Sequence, residues 1–281
     1  MSINQFILSE DKVSEYISYL KDEERASATI EKYSRIIYNF KNFLDGAEVT
    51  KQAAIEWENS LCETHKKTSI NAMLVAINGF FKYFGLKITM KLLKIQRNTF
   101  ISKDKILTQG DYERLINAAK VKHDEQLALL MQTLGSTGMR VSELKFVTVE
   151  AVLNGKAEVT NKSKTRIIFI CKDLKKLLLE YAKKKGITSG SIFVTRNGKQ
   201  LDRSNIWRRI KNLGGIAKVE KSKLFTHNFR KMFAKRFYSK SKDLSKLADI
   251  LGHSNINTTR LYIMESGDEH LKIIESLKLV I

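Results

Sequence analysis

Residues 157–170 read AEVTNKSKTRIIFI, and their pattern differs from that of the rest of the chain. Two short runs, AEVT and RIIFI, stand on either side of a polar turn at residues 161–164. Runs rich in β-branched residues around a polar turn predict a β-hairpin. The preceding residues 146–153, FVTVEAVL, are interpreted as a further strand or a turn. This stretch decides the fold class, because it adds a small antiparallel sheet to a chain that otherwise predicts helices.

The part of the chain before the hairpin begins with amphipathic helices. Ile30, Ile37 and Phe40 recur at the spacing of one helix face, and such a stripe is typical of a buried core. Four helices are predicted, at about 11–23, 28–44, 50–63 and 67–84. They form a helical domain over residues 1–88. Residues 89–106 are basic and break the periodicity, so they are interpreted as a linker between domains.

A second domain is predicted over residues 107–281. Thr108 and Asp111 have the spacing of a capping box, which starts a helix. Further helices are predicted at about 124–136, 172–185, 202–213, 227–239, 243–251 and 266–277. The fold class is therefore mainly α, with a small antiparallel sheet in the second domain.

The composition indicates a polyanionic partner. The 281 residues include 50 Lys and Arg against 30 Asp and Glu, so the net charge is +20. Such a surplus most often reflects nucleic-acid binding, although it also occurs as a charge that keeps a protein in solution. No apolar run is long enough to span a membrane and the N-terminus lacks a signal-peptide pattern, which predicts a cytoplasmic protein that does not contact a membrane.

Metal and disulfide chemistry have little support in the sequence. The two cysteines, Cys62 and Cys171, lie far apart in unrelated contexts, which argues against a disulfide framework and a cysteine-based zinc site. No clustered carboxylates or Cys/His spacing indicate another metal site. The sequence therefore predicts neither a metal nor a cofactor.

Three separated segments of the second domain carry candidate site residues. In LGSTGMRVSEL, residues 134–144, Glu143 follows Arg140 at the spacing that lets it orient the guanidinium. A surface ion pair is the alternative interpretation. In KLFTHNFRKMFAKRFY, residues 223–238, His227 and Arg230 have the same spacing within a basic stretch that contains aromatic residues, a pattern suited to phosphate contacts.

The third segment is LGHSNINTTRLYI, residues 251–263. Its Gly, Ser, Asn and Thr residues favour turns and caps over the interior of a helix. We therefore expect a loop-rich, mobile segment that holds His253 and Tyr262 close together. Two arginines for phosphate oxygens, two histidines for proton transfer and a tyrosine nucleophile match metal-free phosphoryl transfer from DNA to a tyrosine.

The segments TGMRVSEL, HNFR and LGHSNINTTRLY together resemble the signature boxes of the tyrosine recombinases, the phage integrase family. The resemblance covers essentially the whole chain. It implies an N-terminal four-helix, SAM-like core-binding domain that contacts DNA. It also implies a C-terminal mixed α/β catalytic domain that ends in a docking helix. That helix could dock on a neighbouring protomer or pack on its own domain.

The resemblance also implies a role for each site residue. Tyr262 would attack the scissile phosphate, while Arg140 and Arg230 would stabilise the charge of the transition state. His227 would assist removal of the tyrosine proton and His253 would hydrogen-bond a non-bridging oxygen. A lysine of the hairpin would protonate the leaving oxygen, with Lys162 assigned first and Lys164 as the alternative. Glu143 would support Arg140, and the candidate DNA contacts are Lys164, Arg203, Arg208, Arg209, Lys231 and Lys235.

Two positions depart from the usual family boxes. Thr226 stands where a proline commonly precedes the histidine, and Lys231 stands where a histidine commonly follows the arginine. Neither change removes a catalytic group. Such departures favour an integrase of a mobile element over a Xer-like resolvase.

The resemblance implies double-stranded DNA as the partner, a tetramer assembled on two DNA sites through a Holliday junction, and possible accessory proteins. The alternatives are an enzyme like the type IB topoisomerases and a catalytically silent DNA-binding protein.

Overall fold

The computed structural model describes residues 5–95, 106–161, 164–263, 271 and 274–278. The side chains of Asn161 and Lys164 are not included. The chain divides into two compact units, Met1–Arg97 and Asn98–Ile281. Most of the described residues lie in helices, and none of these helices is long and apolar enough to cross a membrane.

The first unit contains the four predicted helices, α1 (Glu10–Asp22), α2 (Ser27–Leu44), α3 (Lys51–Thr64) and α4 (Lys67–Tyr83). The Thr50 hydroxyl caps α3 by accepting a hydrogen bond from the backbone of Ala53 at 3.0 Å. The apolar stripes of the helices form one core, in which Phe40, Trp57 and Phe80 are almost completely buried. The predicted helical stripes therefore do serve as the core.

Residues 89–95 pack on the first unit, although the sequence assigned them to a linker. Asn78 exchanges two hydrogen bonds with the backbone of Met90, at 2.8 and 2.9 Å. Asn71 does the same with Leu93, also at 2.8 and 2.9 Å. Each side-chain amide donates one hydrogen bond and accepts one, as the backbone of a neighbouring strand would. The first unit therefore extends beyond residue 88, and the remainder of the predicted linker, 96–105, lies outside the described residues.

The second unit begins with the predicted capping box. The Thr108 hydroxyl accepts from the Asp111 backbone at 3.1 Å, and the Asp111 carboxylate accepts from the Thr108 backbone at 3.0 Å. The elements that follow are α5 (Gln109–Val121), α6 (Glu125–Thr137), a 3₁₀ helix (Val141–Phe146), α7 (Val149–Leu153), β1 (Lys156–Asn161), β2 (Lys164–Phe169), α8 (Lys172–Lys184), α9 (Arg203–Ala217), a 3₁₀ helix (Lys221–Lys223), α10 (Thr226–Ser241), α11 (Leu244–Leu251) and α12 (Ile256–Ile263).

Strands β1 and β2 form the predicted hairpin. They pair antiparallel, with Lys156 opposite Phe169 and Asn161 opposite Lys164. Val159 and Ile168 are buried on the inner face, while Phe169 is exposed. The alternation fixes the register, because a shift by one residue would turn the buried face outward.

The prediction of a strand or turn at 146–153 was wrong for its second half. Residues Val149–Leu153 form α7, and the Thr148 hydroxyl caps it by accepting from the Ala151 backbone at 3.1 Å. Val149 and Val152 are buried three residues apart. This spacing suits a helix turn against the core better than a strand.

The expectation of a loop over 251–263 was also wrong in part. Residues Ile256–Ile263 form α12, which packs on α10 and α11. Two of the turn-forming residues lie before α12. Gly252 is the left-handed C-cap of α11, and the Asn255 side chain accepts a hydrogen bond from the Asn257 backbone at 2.9 Å. Packing of α12 against its neighbours outweighs weak intrinsic helix propensity. The predicted helix at 266–277 lies largely outside the described residues.

Candidate active site

Arg230 lies at the centre of the candidate site. It is carried by α10 and is only 1% exposed. One terminal nitrogen, Nη1, donates to the Gly138 carbonyl at 2.6 Å. The other, Nη2, donates to the Leu251 carbonyl at 2.5 Å and lies 2.9 Å from Nε2 of His253. These contacts hold the guanidinium between the ends of α6 and α11, while its Nε is buried without a described partner.

Gly138 permits this arrangement. It ends α6 in the left-handed conformation, with φ +64°. A side chain there would place its Cβ 2.4 Å from Cδ1 of Phe233. Glycine therefore meets both the backbone and the steric requirement at the position whose carbonyl receives Arg230.

The contacts of His253 define its tautomer. An arginine can only donate, so Nε2 of His253 accepts from Arg230. The other nitrogen, Nδ1, then carries the proton and donates to the hydroxyl of Thr259 at 2.9 Å. Thr259 is fully buried in α12. Donation from Nε2 to a phosphate oxygen, the role implied by the family resemblance, requires this nitrogen to gain a proton, either by a change of tautomer or by formation of the imidazolium.

Arg140 and Glu143 form the ion pair that the sequence indicated. Arg140 precedes the 3₁₀ helix, and its Nη1 lies 2.9 Å from Oε1 of Glu143. The Arg140 backbone also donates to Oε2 at 2.6 Å. The carboxylate is 2% exposed, which excludes the alternative of a surface ion pair.

The pKa of Glu143 is nevertheless lowered. Burial by itself would raise it, but the hydrogen bond from the Arg140 backbone and the charge of Arg166 favour the ionised form.

Arg166 is a neighbour of the site that the sequence analysis did not single out. Its Nη2 donates to Oε2 of Glu143 at 2.6 Å, and its Nη1 donates to the Ile250 carbonyl at 2.5 Å. It lies two residues before buried Ile168 on β2 and therefore on the same, inner face of the hairpin. Arg166 could have been recognised from the sequence as an arginine on the inward face of a predicted strand, because a charge at such a position requires a buried partner.

Tyr262 lies against both histidines. Its ring centroid is 5.2 Å from that of His227 and 5.2 Å from that of His253, and the His253 ring is nearly parallel, at 14°. The tyrosine packs with Phe233 and Phe237 on α10. Within the described part of the chain, its hydroxyl has no hydrogen-bond partner. The candidate nucleophile is therefore held by its ring while its oxygen stays available.

The site concentrates positive charge without a described metal cluster. Desolvation, followed by the charges of neighbouring cations, lowers the pKa of both histidines to about 4. Lys231 is the foremost of these neighbours for His227, and Arg230 for His253. Burial and the charge of Arg140 lower the pKa of Arg230 to about 10. Both imidazoles are therefore neutral near pH 7, and the arginines carry the positive charge that would attract an anion.

The described residues contain no group of three or more His, Cys, Asp or Glu side chains placed to hold a metal ion.

The histidine pKa values predict how stability depends on pH. The folded pKa of His253, about 4, lies below its ordinary value of 6.5. The unfolded chain therefore binds protons first as the pH falls, and folding stability declines between these two values. We expect the melting temperature to fall less between pH 7 and pH 5 in His253→Gln than in the unchanged protein. His65→Gln, an exposed position in the first unit, serves as control. An equal pH dependence in all three proteins would contradict the assigned shift.

The remaining predicted residues are the hairpin lysines and the candidate DNA contacts on α9 and α10. Lys162 lies outside the described residues, and only the backbone of Lys164 is described, in β2. On α9, Arg203 and Arg208 are exposed. On α10, Lys231 and Lys235 are half-buried.

Arg209 does not present a free guanidinium for DNA. Its Nη2 pairs with Asp124 at 2.6 Å and its Nη1 donates to Gln126 at 3.1 Å. These bonds attach α9 to the start of α6, and contact of Arg209 with DNA stays a prediction.

The comparisons with known proteins agree with this geometry. The model of the phage integrase family matches residues 105–268. The chain belongs to this family, whose members are tyrosine recombinases.

The similar curated proteins carry Xer names. The chain is 26% identical over 290 residues to tyrosine recombinase XerA of Pyrococcus horikoshii, covering all of this chain and 98% of the relative. It is 26% identical to tyrosine recombinase XerD of Staphylococcus epidermidis, over 93% of this chain and 96% of the relative.

Solved structures show the same fold. A XerA recombinase crystal structure matches 96% of this chain and 99% of its own, with 23% identity and a TM-score of 0.54. A lambda integrase dimer bound to a COC' core site matches 92% of this chain and 78% of its own, with 16% identity and a TM-score of 0.74.

Proposed function

We propose that this recombinase cleaves and rejoins DNA through Tyr262. The tyrosine oxygen attacks a phosphorus atom of the DNA backbone, and a bond forms between them. The bond to the 5′ oxygen breaks, which leaves a 3′-phosphotyrosyl link and a 5′-hydroxyl end. Attack by a 5′-hydroxyl reverses the step and joins a strand. The observation that carries this proposal is the placement of Tyr262 against His227 and His253, beside buried Arg230.

The arginines supply the electrostatic stabilisation. A phosphate in attack carries extra negative charge on its non-bridging oxygens, and fixed cationic donors stabilise that charge more in the transition state than in the substrate. Arg230 is fixed by the Gly138 and Leu251 carbonyls, and Arg140 is fixed by Glu143. Such preorganisation needs no metal ion, which agrees with the donor set of the site.

We assign removal of the tyrosine proton to His227. The ring of His253 lies equally close to Tyr262, but both of its nitrogens are engaged, with Arg230 and Thr259. His227 is neutral near pH 7, because its pKa is lowered to about 4. Its ring lies 5.2 Å from that of Tyr262. We assign protonation of the leaving 5′ oxygen to Lys162, with Lys164 as the alternative, and this assignment rests on the family resemblance.

We assign the DNA-binding surface of the second unit to the exposed Arg203 and Arg208 of α9 and to Lys231 and Lys235 of α10. Arg203 is close enough to lower the pKa of His227 by its charge, so the start of α9 lies near the site. The net charge of +20 supports a long contact with phosphate groups.

The proposed assembly is a tetramer on two DNA sites that passes through a Holliday junction, with accessory proteins determining direction. A lambda integrase tetramer bound to a Holliday junction has the same fold, with a TM-score of 0.74. The names of the curated relatives support a Xer-like role in place of the mobile-element integrase that the box departures favoured. The proposed location is the cytoplasm.

Covalent capture tests the proposal. The protein is mixed with fragments of its source genome in EDTA and denatured, and the DNA that remains attached is sequenced. Adducts that survive EDTA and map to a short shared sequence support the recombinase. DNA relaxation by the protein without strand exchange between sites indicates a topoisomerase-like enzyme. Binding without any adduct, also on paired sites, indicates a silent DNA-binding protein. Sites at a single chromosomal locus support the Xer-like role, and sites at the ends of an element contradict it.

A further inference from the structure

Arg166 joins two parts of the site that are distant in sequence. Through Glu143, at 2.6 Å, it supports the carboxylate that holds Arg140. Through the Ile250 carbonyl, at 2.5 Å, it binds the last turn of α11, three residues before His253. The Arg166 guanidinium on β2 therefore links the Arg140 segment to the His253 segment, beside the link that Arg230 makes between Gly138 and Leu251.

Gly252 makes this contact possible. It has φ +66°, and a Cβ there would lie 2.4 Å from Cδ of Arg166. The Arg166 stem thus lies directly against the backbone that precedes His253. Two features require glycine at position 252. The backbone is left-handed, and Arg166 occupies the space that a side chain would need.

Stability alone does not account for the burial of Arg166. Its side chain is 11% exposed, and its Nε is buried without a described partner. An incompletely paired buried charge is a poor stabiliser, and apolar residues of similar size often serve the fold equally well. The geometry gives the arginine another use, since it is the described link between Glu143 and the end of α11.

We propose that Arg166 is a positioning residue that holds Arg140 and His253 at the separation that fits one phosphate group. Its two Nη groups are engaged with Glu143 and Ile250, so it acts through Arg140 and His253. This inference rests on the proposed function, because it assumes that both segments act on the same phosphate.

The test compares Arg166→Gln and Arg166→Lys with a matched control. Arg114→Gln is the control, because Arg114 also pairs with a buried carboxylate, Asp111 at 2.6 Å, and donates to a backbone carbonyl, that of Ala217 at 2.9 Å. The measurements are the single-turnover cleavage rate at saturating DNA, the DNA dissociation constant and the melting temperature. We expect Arg166→Gln to slow cleavage about 100-fold with little change in the dissociation constant. Arg166→Lys keeps the Glu143 pair and recovers part of the rate, while Arg114→Gln cleaves normally.

A methylphosphonate at the scissile position separates positioning from general loss of structure. It removes the negative charge that the arginines stabilise, so the defect of Arg166→Gln should shrink on this substrate to roughly 10-fold or less. Gly252→Ala should show the same pattern, and the double variant should be no slower than the slower single variant. An equal defect on both substrates, or cleavage by Arg166→Gln at the normal rate, would overturn the proposal. Failure of the unchanged protein to form any adduct would instead contradict the proposed function.

Discussion

Replacing Tyr262 with Phe is expected to lower formation of the covalent protein–DNA adduct by about 10⁵-fold or more, because the variant has no oxygen to attack phosphorus. A phenylalanine at position 262 keeps the ring contacts with His227 and His253. Among the described residues, the Tyr262 hydroxyl has no hydrogen-bond partner that the variant would lose. Folding and DNA affinity should therefore change little. The measurement is adduct formation on denaturing gels, with DNA binding followed in parallel.

Tyr238→Phe is the matched control. Tyr238 belongs to the same apolar cluster as Tyr262 and is also half-buried. Loss of its hydroxyl should leave the adduct at the normal level. An adduct that persists in Tyr262→Phe, or that disappears equally in both variants, would contradict the assignment of Tyr262 as the nucleophile.

Replacing Arg230 with Lys is expected to slow cleavage by about 1,000-fold, the usual effect of removing a fixed donor from a developing negative charge. A lysine keeps the charge but cannot donate to the Gly138 and Leu251 carbonyls and His253 together. The unpaired carbonyls should also lower the free energy of unfolding by about 2 kcal/mol. The measurements are the single-turnover cleavage rate at saturating DNA and denaturant unfolding.

Arg114→Lys separates the two effects of the Arg230 substitution. It also weakens a paired arginine of the second unit, but we expect no change in cleavage. If Arg230→Lys were to cleave at the normal rate while remaining folded, Arg230 would not be the electrostatic centre of the site.

The sequence predicts those features that follow from local patterns. Periodicity located the four helices of the first unit, and the polar turn between AEVT and RIIFI located the hairpin. The residue types needed for phosphoryl transfer could also be recognised, because Arg140, His227, Arg230, His253 and Tyr262 fall in three motifs. The structure places these five residues in one unit.

The features that depend on partners far away in the sequence were missed. Helix α12 has weak intrinsic propensity and is stabilised by packing against α10 and α11. Arg166 and Arg209 look alike as isolated basic residues. One binds Glu143 beside the site, and the other binds Asp124 on α6. No local sequence pattern indicates which carboxylate each arginine pairs with. The different roles of Arg166 and Arg209 could therefore be seen only in the structure.

The most direct test of the account is to identify the amino acid that carries the DNA. Trypsin, which cleaves after Lys and Arg, releases Tyr262 in LYIMESGDEHLK, residues 261–272, whose single tyrosine is Tyr262. The adduct trapped in EDTA is digested with nuclease and trypsin and analysed by mass spectrometry. We predict a nucleotide joined to Tyr262 through its 3′-phosphate and a free 5′-hydroxyl on the cleaved strand. A nucleotide on another residue, or a link through a 5′-phosphate, would contradict the account.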